Sequence, residues 1–211
     1  MIVAVPHVAL AVSPARVAVV APASRRLELR NDGVAMLVVD IAGPKAWLRI
    51  RPDRLVLPGR SKAVVTMRVR ARAPGDNRVL VLVTARPRTR GSVALRMRLG
   101  IRVRIHVRGR VVRGLDVGTP RVRRRNGARV IVLPVANRGN VAEHLRKCLT
   151  LSLFRSGRLV ARLQPRSRGE LFPRERTVVA LPYSGGMRGV VSAVVAVHAG
   201  EKLVRRYRLR L

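Results

Sequence analysis

Ten carboxylates, four histidines and one cysteine are the groups of this chain able to act as acids, bases, nucleophiles or metal ligands. A catalytic centre needs several of them to converge, and their spacing gathers none. Glu28, Asp32, Asp40, Asp53, Asp76, Asp116, Glu143, Glu170, Glu175 and Glu201 are scattered. Asp32 and Asp76 are expected in turns. Among so many cations, these acids read as local ion-pair partners. His7, His106, His144 and His198 lie far apart, and neither H-E-x-x-H nor G-x-S-x-G occurs. "YSGGMRG" (Tyr183–Gly189) reads as two glycines in a turn between strands, not as a phosphate loop. Cys148 follows His144 by four residues in "HLRKCLT", but a zinc site needs more ligands, so Cys148 reads as a small buried residue. No catalytic residue, cofactor or metal is expected, and the chain reads as a non-enzyme.

Cations dominate the remaining chemistry. Lys and Arg number 45 against 10 acids, a formal net charge of +35 on 211 residues. Only Lys45, Lys62, Lys147 and Lys202 are lysine. GC-rich codon usage explains arginine in place of lysine, but not the scarcity of acids. Such a charge attracts nucleic acid, anionic cell-wall polymer or an anionic membrane surface. The steepest cluster is "PRVRRRNGAR", where Arg121, Arg123, Arg124, Arg125 and Arg129 form either a polyanion contact or a solvated hairpin face. Aromatics are only 2% of the chain: Trp47, Phe154, Phe172, Tyr183 and Tyr207. Readers of single strands stack bases on aromatic rings, so any nucleic-acid binding is expected to be non-specific. No apolar run approaches the ~20 residues of a membrane span.

The elements that position these residues have a period of two. From Val93 to Val107, in "SVALRMRLGIRVRIHVRG", every odd position is apolar, and Arg96, Arg98, Arg102 and Arg104 stand between them. One face of such a strand buries and the other meets solvent. Strands usually run about 5–6 residues, and Gly100 interrupts this one, so a bulge or bend is expected there. Two readings of Ile101, Val103, Ile105 and Val107 stay open: they fill their own core, or they form an edge that pairs with another protein's strand. The interspersed arginines also oppose uncontrolled edge pairing.

Strands are expected at 8–12, 16–21, 24–30, 35–41, 47–50 with 54–57, 62–71, 78–86 and 93–107. A second set follows at 110–117, 120–124, 128–136, 148–154, 158–163, 176–182, 187–198 and 202–211. Short strands punctuated by Pro and Gly read as all-β, as two consecutive immunoglobulin-like β-sandwich domains, 1–109 and 110–211. A weak internal repeat supports the division. "LELRNDG" precedes "LVLPGRSKAVVTMRV", and "LPVANRG" precedes "ELFPRERTVVALPY"; in each, Asn-x-Gly ends a strand and a hydrophobic-Pro turn follows. Asn and Gly tolerate positive φ, so Asn-x-Gly is expected to close a turn. The start, "MIVAVPHVALA", ends in Ala9-Leu10-Ala11. It is either the tail of a signal peptide or a first strand.

"VSPARVAVVAPASRRLELRNDG", "AWLRIRPDRLVLPGRSKAVVTMRVRARAPGDNRVLVLV" and "GIRVRIHVRG" resemble the tandem immunoglobulin-like modules of bacterial cell-surface proteins. The likeness is to the WxL-interacting type and its actinobacterial relatives, and more distantly to periplasmic pilus chaperones. The resemblance implies an exported, non-enzymatic β-protein of the cell surface or extracellular space, with the cytoplasm left open. It gives the first expectation, a structural protein acting through contacts with envelope proteins or self-assembly. The second is a strand-donating adaptor or chaperone for surface subunits; in pilus chaperones the last strand of the first domain donates alternating apolar side chains to a client. The third is a low-specificity binder of cell-wall polymer or nucleic acid.

Overall fold

The computed structural model describes residues 8–88, 95–125, 128–166, 169–183, 189–199 and 202–210. Segments rich in Val and Leu, alternating with Arg, form half-buried pleated strands, and the fold is all-β: two consecutive immunoglobulin-like β-sandwich domains. Contacts divide it into two compact units, Met1–Arg108 and Gly109–Leu211.

The first unit contains β1 (Leu10–Ser13), β2 (Arg16–Ala21), β3 (Ala23–Asn31), β4 (Leu37–Ala42), β5 (Leu48–Arg51), β6 (Arg54–Leu57), β7 (Ser61–Val69), β8 (Gly75–Pro87) and β9 (Met97–Val107). One sheet is ordered β1-β3-β7-β5 and the other β2-β9-β8-β4-β6. Alternation turns Leu27, Leu29, Val65 and Met67 of the first sheet onto Leu37, Val39, Val81, Val83, Ile101 and Ile105 of the second, and all ten are at most 1% exposed. Burying each such side chain stabilises the fold by roughly 1.5–3 kcal/mol. Trp47 is half-buried at the margin of this core.

Two chain reversals matter for the edges. β1 pairs with β3. Pro14 then interrupts the chain, and having no N–H it cannot extend the ladder. β2 crosses to the opposite sheet and runs parallel to β9. Leu10 is buried in the core, so the A-x-A triplet overlaps a strand of the sandwich; Met1–His7 lie outside the described residues. Likewise β5 joins β7 while β6 joins β4, so the segments expected together at 47–50 and 54–57 belong to opposite sheets.

The second unit contains β10 (Leu115–Val117), β11 (Arg121–Arg125), β12 (Ala128–Asn137), β13 (Glu143–His144), a single helical turn α1 (Leu145–Cys148), β14 (Leu149–Arg155), β15 (Arg158–Leu163), β16 (Glu170–Leu171), β17 (Arg176–Tyr183), β18 (Val190–His198) and β19 (Lys202–Arg210). β12 lies between β17 on one side and β10 and β11 on the other, β15-β14-β18-β19 form the facing sheet, and β13 pairs with β16. The strand expected at 110–117 shortens to Leu115–Val117. Upstream, Asn140 takes over: its Oδ1 accepts the Val112 N–H at 2.8 Å and its Nδ2 donates to the Arg110 carbonyl at 2.7 Å. Gly139 is required at this crossing, because a Cβ there would lie 2.4 Å from the Val112 carbonyl oxygen. The expected start of β18 at 187 lies outside the described residues.

The internal repeat is a pair of buried clasps. Asn31, 1% exposed, accepts the Gly33 N–H on Oδ1 and donates from Nδ2 to the carbonyls of Ala35 and Pro58, both at 2.8 Å. Asn137, also 1% exposed, accepts the Gly139 N–H and donates to the carbonyls of Val141 and Leu171, both at 2.8 Å. Each amide ties the end of a strand to the later hydrophobic-Pro segment. The positive φ expected at Asn-x-Gly falls instead in those later turns, on Arg60 (54°) and Arg174 (66°). The reason is that the Asn side chain, not a left-handed backbone, makes the turn's hydrogen bonds.

Removing either clasp strands buried carbonyls, each costing about 1–3 kcal/mol. Asn31→Ala and Asn137→Ala should each destabilise the protein by about 3 kcal/mol in urea unfolding, whereas Asn77→Ala, in a half-exposed position on β8, should cost under about 1 kcal/mol.

Candidate functional site

Every interior strand has two edges, and β9 is covered unequally on its two. On one side β8 pairs with its whole length, Ala85 to Gly75 against Met97 to Val107, in one unbroken antiparallel register. On the other side β2 pairs only with Arg102–Val107. Cover begins where the Arg102 N–H donates to the Ala15 carbonyl at 3.0 Å. Backbone groups alternate sides along a strand, so the N–H and C=O of Arg98 and Gly100 face the same way as those of Arg102. No strand among the described residues pairs with them there.

Side-chain exposure follows the cover. Ile101, Val103, Ile105 and Val107, expected either as core or as a pairing edge, are 1%, 1%, 0% and 6% exposed. They fill their own core, and the last three lie where both edges of β9 are paired. The same apolar stripe continues towards the open half as Leu99 and Met97, both half-buried at the core margin, and then Leu95, 37% exposed. Ser92–Ala94, the start of the stripe, lie outside the described residues. The alternate positions Arg96, Arg98, Arg102 and Arg104 are exposed. Arg102 stands directly opposite Arg16 across the β2–β9 pair, and neither has an acidic partner among the described residues. The bulge expected at Gly100 is absent, since the register against β8 does not shift. A Cβ there would meet Leu80 Cδ1 at 2.9 Å, the end of an exposed side chain free to turn aside.

The arginine cluster of the second unit is divided by its hairpin. Arg121 and Arg123 stand opposite Val132 and Val130, on one face. Arg124 stands opposite Arg129, on the other face. Arg125 ends β11 opposite Ala128. Adjacency in sequence therefore does not gather all five on one surface.

Among the described residues the carboxylates do not converge either; Glu201 lies outside them. Glu28, Asp32, Asp40 and Asp53 lie 3.9, 2.8, 3.4 and 3.1 Å from Lys62, Arg30, Arg54 and Arg51. Asp76 and Glu170 meet His106 and His144 at 2.9 and 3.0 Å, and Asp116 lies between Arg138 and Arg205. Glu175 accepts the Phe172 N–H at 3.1 Å. Glu143 is buried, held by Arg113 through both oxygens at 3.1 and 3.0 Å. Cys148 Sγ donates to Glu143 Oε2 at 3.5 Å. Burial, followed by the negative charge of Glu143, pushes this thiol's pKa up. His144, four residues away, is turned to Glu170. Among the described residues no three His, Cys, Asp or Glu side chains are placed to hold a metal.

No family model matches the sequence, and no curated protein matches it. Solved structures do share the fold. A chain from the chaperone–tip adhesin complex of CFA/I fimbriae biogenesis superposes with a TM-score of 0.56 at 10% identity, over 94% of this chain and 98% of that one. The class 5 fimbriae chaperone CfaA gives 0.54 at 11%, over 94% and 98%. A chain of the CsuC–CsuE chaperone–tip adhesion subunit pre-assembly complex, from the archaic chaperone-usher Csu pili of Acinetobacter baumannii, gives 0.51 at 13%, over 95% and 98%. At these identities the likeness is one of fold. It lies with the more distant of the two resemblances read from the sequence, and lends none to the WxL-interacting type.

A buried thiol with a raised pKa is a poor nucleophile. Cys148 in the folded protein at pH 8 should react with a disulfide reagent at least tenfold more slowly than in denaturant; equal rates would show an accessible thiolate.

Proposed function

We propose that this chain is a non-enzymatic adaptor or chaperone that holds client subunits of the cell envelope by adding a client strand along the open half of β9. The observation that carries the reading is the unequal cover of that strand, paired along one edge from Met97 to Val107 but along the other only from Arg102. An edge with unpaired backbone groups recruits a strand, and alternating pockets for its side chains give specificity. Leu95, Met97 and Leu99 supply the apolar set, at a spacing of about 6.8 Å for every second residue of a strand. The donating set is thus displaced from Ile101–Val107, which their own core consumes, to the half of the stripe upstream of them.

Charge selects the partner. Two copies paired along this edge would bring the rows of Arg96 and Arg98 together, and like charges directly opposite are destabilising. That argues against a self-assembling structural subunit and for a client with an acidic rim. The exposed pair Arg16 and Arg102, at the end of the open segment, offers such a client two guanidiniums. The fold shared with chains from fimbrial chaperone–subunit complexes supports the same reading. On this reading the protein works outside the cytoplasm, among the envelope proteins it serves.

A photo-crosslinking residue at Leu95 in native cells should trap one dominant partner, and the same residue at Val178, 63% exposed in the second unit, should not. Arg96→Glu with Arg98→Glu should cut the yield at position 95 at least fivefold without changing the melting temperature. Identical adducts from positions 95 and 178 would refute strand addition here. Ile101→Asp is unsuitable as a test, because that side chain is core.

A further inference from the structure

The arginines of β19 divide into two kinds. Arg205 is structural: it donates to the Val117 carbonyl at 2.7 Å and lies 3.5 Å from Asp116. Arg206 and Arg208, on the alternate positions, are exposed and have no ion-pair or hydrogen-bond partner among the described residues. They stand across from Val194 and Ser192 of β18, and Ser192 in turn stands across from Phe154 of β14. These residues line a depression of about 490 Å³ together with Arg155 and Ser156, which open the β14–β15 hairpin. Ser156 and Gly157 both have positive φ, 48° and 78°, as a two-residue hairpin turn with right-handed strand twist requires. Three guanidiniums and two hydroxyls therefore border one recess, none of them engaged by a partner among the described residues. No acidic residue occurs anywhere in β14, β15, β18 or β19.

We infer that this recess of the second unit binds the phosphate groups of a flexible polyol-phosphate chain. A lining of charged donors without a carboxylate selects a ligand that brings negative charge and acceptors. Guanidinium forks match phosphate oxygens in pairs, and the hydroxyls donate to the oxygens left over. One ring, Phe154, borders the site, whereas single-stranded nucleic acid is held on successive aromatic platforms. A recess rimmed by polar groups also suits a protruding phosphodiester better than a planar lipid surface. The site is separate from the open edge of β9, lies in the other unit, and does not depend on client binding. An anionic polymer of the envelope held here would keep the protein where its clients emerge.

The test uses the full chain with poly(glycerol phosphate) as probe at 150 mM salt, read by calorimetry and by amide shifts. Arg206→Gln with Arg208→Gln should weaken binding at least tenfold. Arg121→Gln with Arg123→Gln removes the same charge from an exposed strand face elsewhere in the unit and should weaken it less than twofold. Ser192 and Arg208 amides should shift on titration. Equal losses in the two double variants would overturn the proposal, since general charge would then suffice. So would absence of binding. Preferential binding of an oligothymidylate or of phosphatidylglycerol vesicles, abolished by the Arg206 and Arg208 changes, would overturn it in favour of that ligand. Should the Gln variant lose its fold, Ser192→Val replaces it and should weaken binding at least threefold, no change overturning the proposal.

Discussion

A β-strand must satisfy backbone donors and acceptors on both edges, and a buried group left unpaired costs about 1–3 kcal/mol. In the first unit that demand meets a length mismatch. β8 offers β9 a ladder from Met97 to Val107, while β2, released from the opposite sheet only after Pro14, covers Arg102 to Val107. Among the described residues no strand pairs with the remaining backbone of Arg98 and Gly100 on that edge. The exposure gradient along the apolar stripe, from the buried Ile101 through the half-buried Leu99 and Met97 to the exposed Leu95, has the same cause: where β2 stops, its share of the cover stops too.

Alternation made much of the fold legible. Period two gives the buried face of β3, β7 and β9, though not of β8, whose run Val79–Val83 is apolar throughout, and with turn punctuation it gives two sandwiches. It is blind to edges, because covering an edge is a pairing between segments far apart in sequence. Nothing local to Ile101–Val107 reveals that Arg16–Ala21 lies alongside. The stripe was therefore readable as apolar, but not as half covered and half open. Gly100 shows the same blindness, since a glycine in an unbroken ladder looks the same in sequence as a glycine at a bulge. The one-turn helix at Leu145–Cys148 and the two-residue strands β13 and β16 are too short to show any period.

The asparagine clasps were visible only as punctuation. A repeated Asn-x-Gly followed by hydrophobic-Pro was in view twice, and that repetition was the available signal that the two parts touch. Its meaning requires knowing that Asn31 and Asn137 are buried, which polar type and turn context argue against. Arg121–Arg129 is a related case. A hairpin sends neighbours in sequence to opposite faces, while Arg155, Arg206 and Arg208, some fifty residues apart, border one recess. Charge clusters on β structure follow register and not sequence distance.

The most direct measurement is residue-resolved amide hydrogen exchange along β9, in the free protein and again with the client trapped at position 95. The account predicts near-solvent exchange at Arg98 and Gly100 in the free protein, beside strong protection at Leu99, Ile101, Arg102 and Arg104, with Arg98 and Gly100 becoming protected once the client is bound. Protection of Arg98 and Gly100 in the free protein, or exchange there unchanged by the client, would contradict it.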